Sequence, residues 1–132
     1  MTLSVTPFLM YDGDAQRAIN LYLSIFSQSS LKSVTYYGPD EEGAEGQVKR
    51  AELRIGEQNI ICTDSPVKHS FAFTPSISMF VECESCEELD KLAEGLKKDG
   101  IVLMPPQKYD FSERFAWIND QFGVSWQLNV AS

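Results

Sequence analysis

The sequence predicts an α+β fold made from two tandem β-α-β-β-β modules within a single domain, residues 1–132. Three observations predict it. Apolar residues recur at helical spacing in two stretches, 15–26 and 89–96, and each stretch is followed by three β-like runs. The two helix starts, at Asp14 and Ser85, lie about half a chain apart, as an internal duplication requires. The β-like runs alternate apolar and polar side chains, so each sheet has one face to bury beneath a helix. Module one is expected to span residues 1–66 and module two residues 75–132, with a linker at 67–74.

The first strand is read at residues 3–11, an apolar and β-branched run stopped by Asp12-Gly13. Asp14 is the expected N-cap of a helix whose buried stripe is Ala15, Ala18, Ile19, Tyr22, Leu23 and Phe26. Strands follow at 33–37, 47–55 and 59–63, separated by an acidic turn at 39–46 and by Gly56-Glu57. In module two a strand at 76–82 leads to Ser85-x-x-Glu88, a capping box in which each side chain meets a free backbone N–H at the helix start. Leu89, Leu92, Ala93 and Leu96 form its buried face, and Lys97, Lys98 and Gly100 supply a favoured helix end. Strands at 101–104, 115–119 and 124–130 complete the chain, and the loop 105–114, with Tyr109, Phe111 and Arg114, is a candidate lid.

The alternation assigns faces. Val124, Trp126, Leu128 and Val130 share one side and Ser125, Gln127 and Asn129 the other. Ile77, Met79 and Val81 oppose Ser76, Ser78, Phe80 and Glu82, and Ala51, Leu53 and Ile55 oppose Val48, Arg50, Glu52 and Arg54. The polar faces are either solvated sheet or the lining of a wet cavity.

Composition removes several function classes. Eleven Lys and Arg against 19 Asp and Glu give a formal charge of −8, which repels phosphate backbones, so no nucleic-acid partner is expected. A single histidine, His69, excludes a metal centre needing two imidazoles from one chain. Without a spanning apolar stretch or a signal-like N-terminus, no membrane association is expected and a cytoplasmic location is. Cys62, Cys83 and Cys86 are expected to be reduced thiols. The Cys83-Glu84-Ser85-Cys86 pair sits among carboxylates that oppose thiolate formation, which argues against redox chemistry.

Thr6-Pro7-Phe8-Leu9-Met10-Tyr11-Asp12-Gly13, the run Ala18 to Tyr22, Ala51-Glu52-Leu53 and the ending Asp120-Gln121-Phe122-Gly123-Val124-Ser125-Trp126-Gln127-Leu128 carry a family resemblance along essentially the whole chain. They resemble the PhnB-like, 3-demethylubiquinone-9 3-methyltransferase-like branch of the glyoxalase/bleomycin-resistance/dioxygenase superfamily, also called vicinal oxygen chelate proteins. The resemblance implies a cupped mixed sheet with helices on the convex side and a ligand cavity on the concave side. It also implies metal ligands on the first and last strands of each module. Those positions correspond here to Pro7 or Phe8, Cys62 or Thr63, Ser76 and Gln127, so no metal cofactor is expected. Methyl transfer is disfavoured too, because the first strand-to-helix turn is Asp12-Gly13-Asp14 rather than a glycine-rich nucleotide loop.

The pocket expected from this combination is lined by Leu9, Tyr11, Cys62, Ser78, Phe80, Trp117 and Gln127, with Arg50 and Glu52 as charged candidates for catalysis. Two functions follow. One is a metal-independent homodimer that binds a small molecule, as antibiotic-binding relatives do. The other is an enzyme acting on a small oxygenated or aromatic substrate, with Glu52 as base and Arg50 or Gln127 holding an oxyanion.

Overall fold

A computed structural model describes residues 2–132. The chain divides between His69 and Ser70 into two compact units, each with one helix and one four-stranded sheet.

In the first unit β1 (Phe8–Tyr11), α1 (Ala15–Ile25), β2 (Ser29–Tyr36), β3 (Val48–Ile55) and β4 (Gln58–Asp64) form a sheet of order β1-β4-β3-β2. β1 runs parallel to β4, and the other pairs are antiparallel. The first strand is shorter than its composition predicts. Leu3 and Val5 are exposed, and regular pairing starts only after Pro7, whose carbonyl accepts the Ile61 N–H. Ala15, Ala18, Ile19, Tyr22 and Phe26 bury the helical stripe as the spacing requires.

Asp14 does not cap α1 with its side chain; its carboxylate takes Arg17 instead. The missing acceptor comes from the far end of the unit. Asp64, at the end of β4, accepts the Ala15 N–H on Oδ1 at 2.9 Å and the Val48 N–H on Oδ2 at 3.0 Å. Its own carbonyl accepts the Tyr37 hydroxyl at 2.9 Å. One buried carboxylate thus joins the start of α1, the start of β3 and the end of β4, and it sits where the helix dipole favours negative charge.

Register irregularities change one face assignment. Thr35 pairs with Arg50 and Tyr36 with Val48, so Lys49 is an extra residue in β3. The bulge turns Val48 inward to complete burial, away from the face the strict alternation gave it beside Arg50.

In the second unit β5 (Met79–Glu82), α2 (Cys86–Lys97), β6 (Ile101–Tyr109), β7 (Ser112–Asn119) and β8 (Ser125–Val130) form a sheet of order β5-β8-β7-β6. β5 is parallel to β8, so the topology of the first unit recurs. The capping box forms: Ser85 Oγ accepts the Glu88 N–H, and Glu88 Oε1 accepts the N–H of Glu84. At the other end of α2 the left-handed residue is Asp99, at φ 58°, not Gly100. Gly100 is required for space, since a Cβ there would strike the Asn119 carbonyl oxygen.

The expected loop 105–114 is a hairpin instead. Residues 101–109 form an edge strand, and Tyr109 pairs with Ser112 across a tight turn. Pro105 and Pro106 are tolerated because they fall between Met104 and Gln107, where the register of this edge strand shifts and neither proline is paired. The segment read as a lid is therefore sheet.

Asp120 organises the β7–β8 turn. One carboxylate oxygen accepts the N–H groups of Phe122 and Val124, and the other accepts the Trp126 indole at 3.0 Å. Gly123, at φ 95°, supplies the left-handed residue that the turn needs. Leu89 and Leu96 of α2, and Ile118, Trp126 and Leu128 of the sheet beneath it, are fully buried.

Two predictions follow from this core. Asp64→Ala strips the acceptor from two buried N–H groups and should lower unfolding free energy by about 2–4 kcal/mol in a urea titration, with Asp64→Asn intermediate. Burial pushes the Cys62 thiol up to about 12 and that of Cys83 up to about 11, so both remain protonated at pH 8. Mass spectrometry after mild alkylation of the native protein should find Cys86, the partly exposed thiol, modified first and Cys62 protected.

Candidate functional site

Each sheet packs its helix on one face only, and strand parity decides which side chains reach the other. In the first unit this divides the residues expected to share a pocket. Leu9 and Tyr11 point towards α1, where the Tyr11 hydroxyl bonds that of Tyr22 at 3.1 Å. Cys62 pairs with both Leu9 and Ala51 and is completely buried. These three are core. Arg50 and Glu52 lie on the opposite, helix-free face, in the register rows that hold Phe8, Met10, Ile61 and Thr63. Glu52 stands 3.8 Å from Lys32 with its side chain 37% exposed, and Arg50 is exposed.

The second unit brings its four predicted residues together. Phe80 pairs with Gln127, and Gln127 pairs with Trp117, so the three form a row across β5, β8 and β7 on the helix-free face. Ser78, just before β5, joins them by hydrogen bonding: Gln127 Nε2 donates to its Oγ at 3.3 Å. The Ser78 and Ser125 hydroxyls are 2.7 Å apart, and the Trp117 indole N–H donates to Ser125 Oγ at 2.8 Å.

An aromatic wall adjoins this network. Phe80, 56% exposed, lies 6.5 Å from the ring of Phe115, which meets Phe111 edge-on at 5.1 Å. Tyr109 stacks on Phe111 at 5.6 Å, and its hydroxyl is held by the Pro105 carbonyl. Further along the face, Asn129 Nδ2 donates to Glu82. The patch sets one polar cluster beside several aromatic rings.

Ser125 and Phe115 were not among the expected site residues. The signal for Ser125 was present, since alternation in β8 puts it on the face of Gln127. The signal for Phe115 was present as well, since alternation in the strand read at 115–119 puts it on the face of Trp117.

The positions corresponding to metal ligands do not suit a divalent cation. Pro7 offers no side-chain donor, Cys62 is sealed in the core as a protonated thiol, Ser76 bonds Thr74, and Gln127 is engaged by Ser78. Among the described residues, no group of three or more His, Cys, Asp or Glu side chains is arranged to hold a metal ion. His69 bonds Ser65 at 3.0 Å.

Comparison with known proteins places this geometry in a lineage. The PhnB protein from Bacillus cereus is 44% identical and matches 98% of this chain and 100% of its own, with a TM-score of 0.94. A glyoxylase/bleomycin resistance protein/dioxygenase domain from Frankia, 14% identical, covers 100% of this chain and 94% of its own at a TM-score of 0.69. The fosfomycin resistance protein FosX from Listeria monocytogenes, crystallised with Mn(II) and a dihydroxypropylphosphonic acid, is 13% identical, with coverage of 100% and 95% and a TM-score of 0.69. The latter two share the fold. The model of the 3-demethylubiquinone-9 3-methyltransferase family matches residues 3–129, and the chain belongs to that family.

Proposed function

We propose that this protein binds a small organic molecule on the helix-free face of its second sheet, and does so without a metal ion. The observation that carries the reading is the convergence of Ser78, Phe80, Trp117 and Gln127 on one face, with a hydrogen-bonded cluster beside exposed aromatic rings. Apolar area supplies affinity there, and the few polar groups fix orientation. Metal independence is supported by a donor set of amide, hydroxyl and buried thiol in place of imidazole and carboxylate.

An enzyme using Glu52 as base and Arg50 as oxyanion holder draws less support, because Glu52 is open to solvent and faces Lys32. The family's methyltransferase label has no counterpart in a glycine-rich strand-to-helix turn, since Asp12-Gly13-Asp14 occupies that place. The protein is further proposed to work in the cytoplasm as a homodimer. Free cysteines agree with a reducing compartment, and exposed Leu3, Val5 and Ile77 offer apolar surface to a second copy.

A thermal-shift screen of small aromatic compounds tests the binding reading. A ligand at 100 times its Kd stabilises by about 2.7 kcal/mol, which raises the Tm measurably. At least one compound should do so equally before and after treatment with EDTA, and Phe80→Ala should abolish the effect. A broad panel without a shift, or a shift indifferent to Phe80→Ala, would contradict the proposal.

A further inference from the structure

The hydroxyl pair on the second sheet, together with the Gln127 amide, ends in a donor turned outward, and this points to a class of ligand. The step rests on the binding role proposed for this face. An indole N–H can only donate, so Ser125 Oγ accepts from Trp117. Ser78 Oγ accepts from Gln127 Nε2. With the two oxygens 2.7 Å apart, one hydroxyl proton lies between them and the other has no acceptor among the residues bonded to the pair.

Burial decides which proton is spare. Ser125 is 2% exposed, whereas Ser78 is half-buried. A sealed donor without an acceptor is the costlier arrangement, so Ser125 donates to Ser78 and the Ser78 O–H turns to the open face. Reversing the Gln127 amide does not change the outcome. Ser78 would then donate to Oε1, and the amide N–H groups would become the outward donors. In both cases the chain Trp117, Ser125, Ser78, Gln127 presents donors to whatever lies on the sheet.

We infer that Ser78, with Gln127, forms a donor subsite for a neutral oxygen acceptor carried on an aromatic body, as in an aryl ketone or aldehyde. The ring is provided for by Phe80, which stands opposite Gln127 in register and leans on Phe115. Neutrality is favoured by charge. Glu82 lies on the same face two residues beyond Phe80, and Lys108 on the neighbouring hairpin is engaged by Glu113.

Isothermal titration with three probes tests this: acetophenone, α-methylstyrene, in which a methylene replaces the carbonyl oxygen at nearly the same shape, and benzoate. Acetophenone should bind about tenfold more tightly than α-methylstyrene, the discrimination expected of one neutral hydrogen bond, and more tightly than benzoate. Gln127→Glu keeps the side-chain shape but supplies an acceptor for the Ser78 proton, so the preference should collapse to about equal affinity. Phe80→Ala should weaken both neutral probes together. The wild-type preference needs no variant to be read, which keeps the inference open to refutation if Gln127→Glu does not fold.

Equal wild-type affinities for acetophenone and α-methylstyrene would overturn the donor subsite while leaving binding on this face intact. Benzoate as the tightest probe would overturn the neutral class. A preference that survives in folded Gln127→Glu would remove Ser78 as its source. Failure of all three probes to bind would overturn this inference, whereas the binding function beneath it is overturned only by the broad thermal-shift panel.

Discussion

A β-strand sends successive side chains to opposite faces, and a sheet with one helix can bury only one of those faces. Most of this structure follows from that constraint. In the first unit it commits Leu9, Tyr11, Ala51, Leu53 and Cys62 to the core under α1 and leaves Arg50 and Glu52 outside. In the second it commits Trp126 and Leu128 to α2 and leaves Gln127, with its register neighbours Phe80 and Trp117, on the free side. A one-residue bulge is enough to move a side chain across the divide, as Val48 demonstrates.

Buried carboxylates hold each unit in the register that the parity requires. Asp64 ties two chain segments far from it in sequence, and Asp120 closes the turn that aligns β8 with β7. Both accept backbone N–H groups in charge-assisted hydrogen bonds. Surface ion pairs such as Arg17–Asp14 and Lys97–Glu94 link exposed side chains and contribute little by comparison. The acidic balance of the chain is thus mostly a surface property, while two of its carboxylates are structural.

The repeated β-α-β-β-β order, both helical stripes and the Ser85 capping box were legible in the sequence because they depend on local spacing. Asp64 was not legible as a helix cap, since nothing in a linear reading links it to Ala15. The 105–109 strand was hidden by Pro105-Pro106, which read as a loop unless the strand is known to be an edge. Among the site residues, those of module two were legible through alternation, and their hydrogen-bonded cluster emerged only when pairing set Ser78 beside Ser125 and Gln127. Leu9, Tyr11 and Cys62 were grouped with that set, Cys62 through the ligand position that the resemblance implies, although the parity of their own strands sends all three to the core.

The functional account makes the helix-free face of the second sheet the working surface. Its two tryptophans report on opposite faces: Trp117 donates to Ser125 in the polar cluster, and Trp126 donates to Asp120 in the core beneath α2. The ¹⁵N–¹H spectrum of the two indole groups, recorded during titration with a bound aromatic compound, therefore reads the location directly. The account predicts that the Trp117 indole resonance moves to saturation while that of Trp126 stays in place. Movement of Trp126 alone, or no movement of Trp117 under saturating ligand, would contradict it.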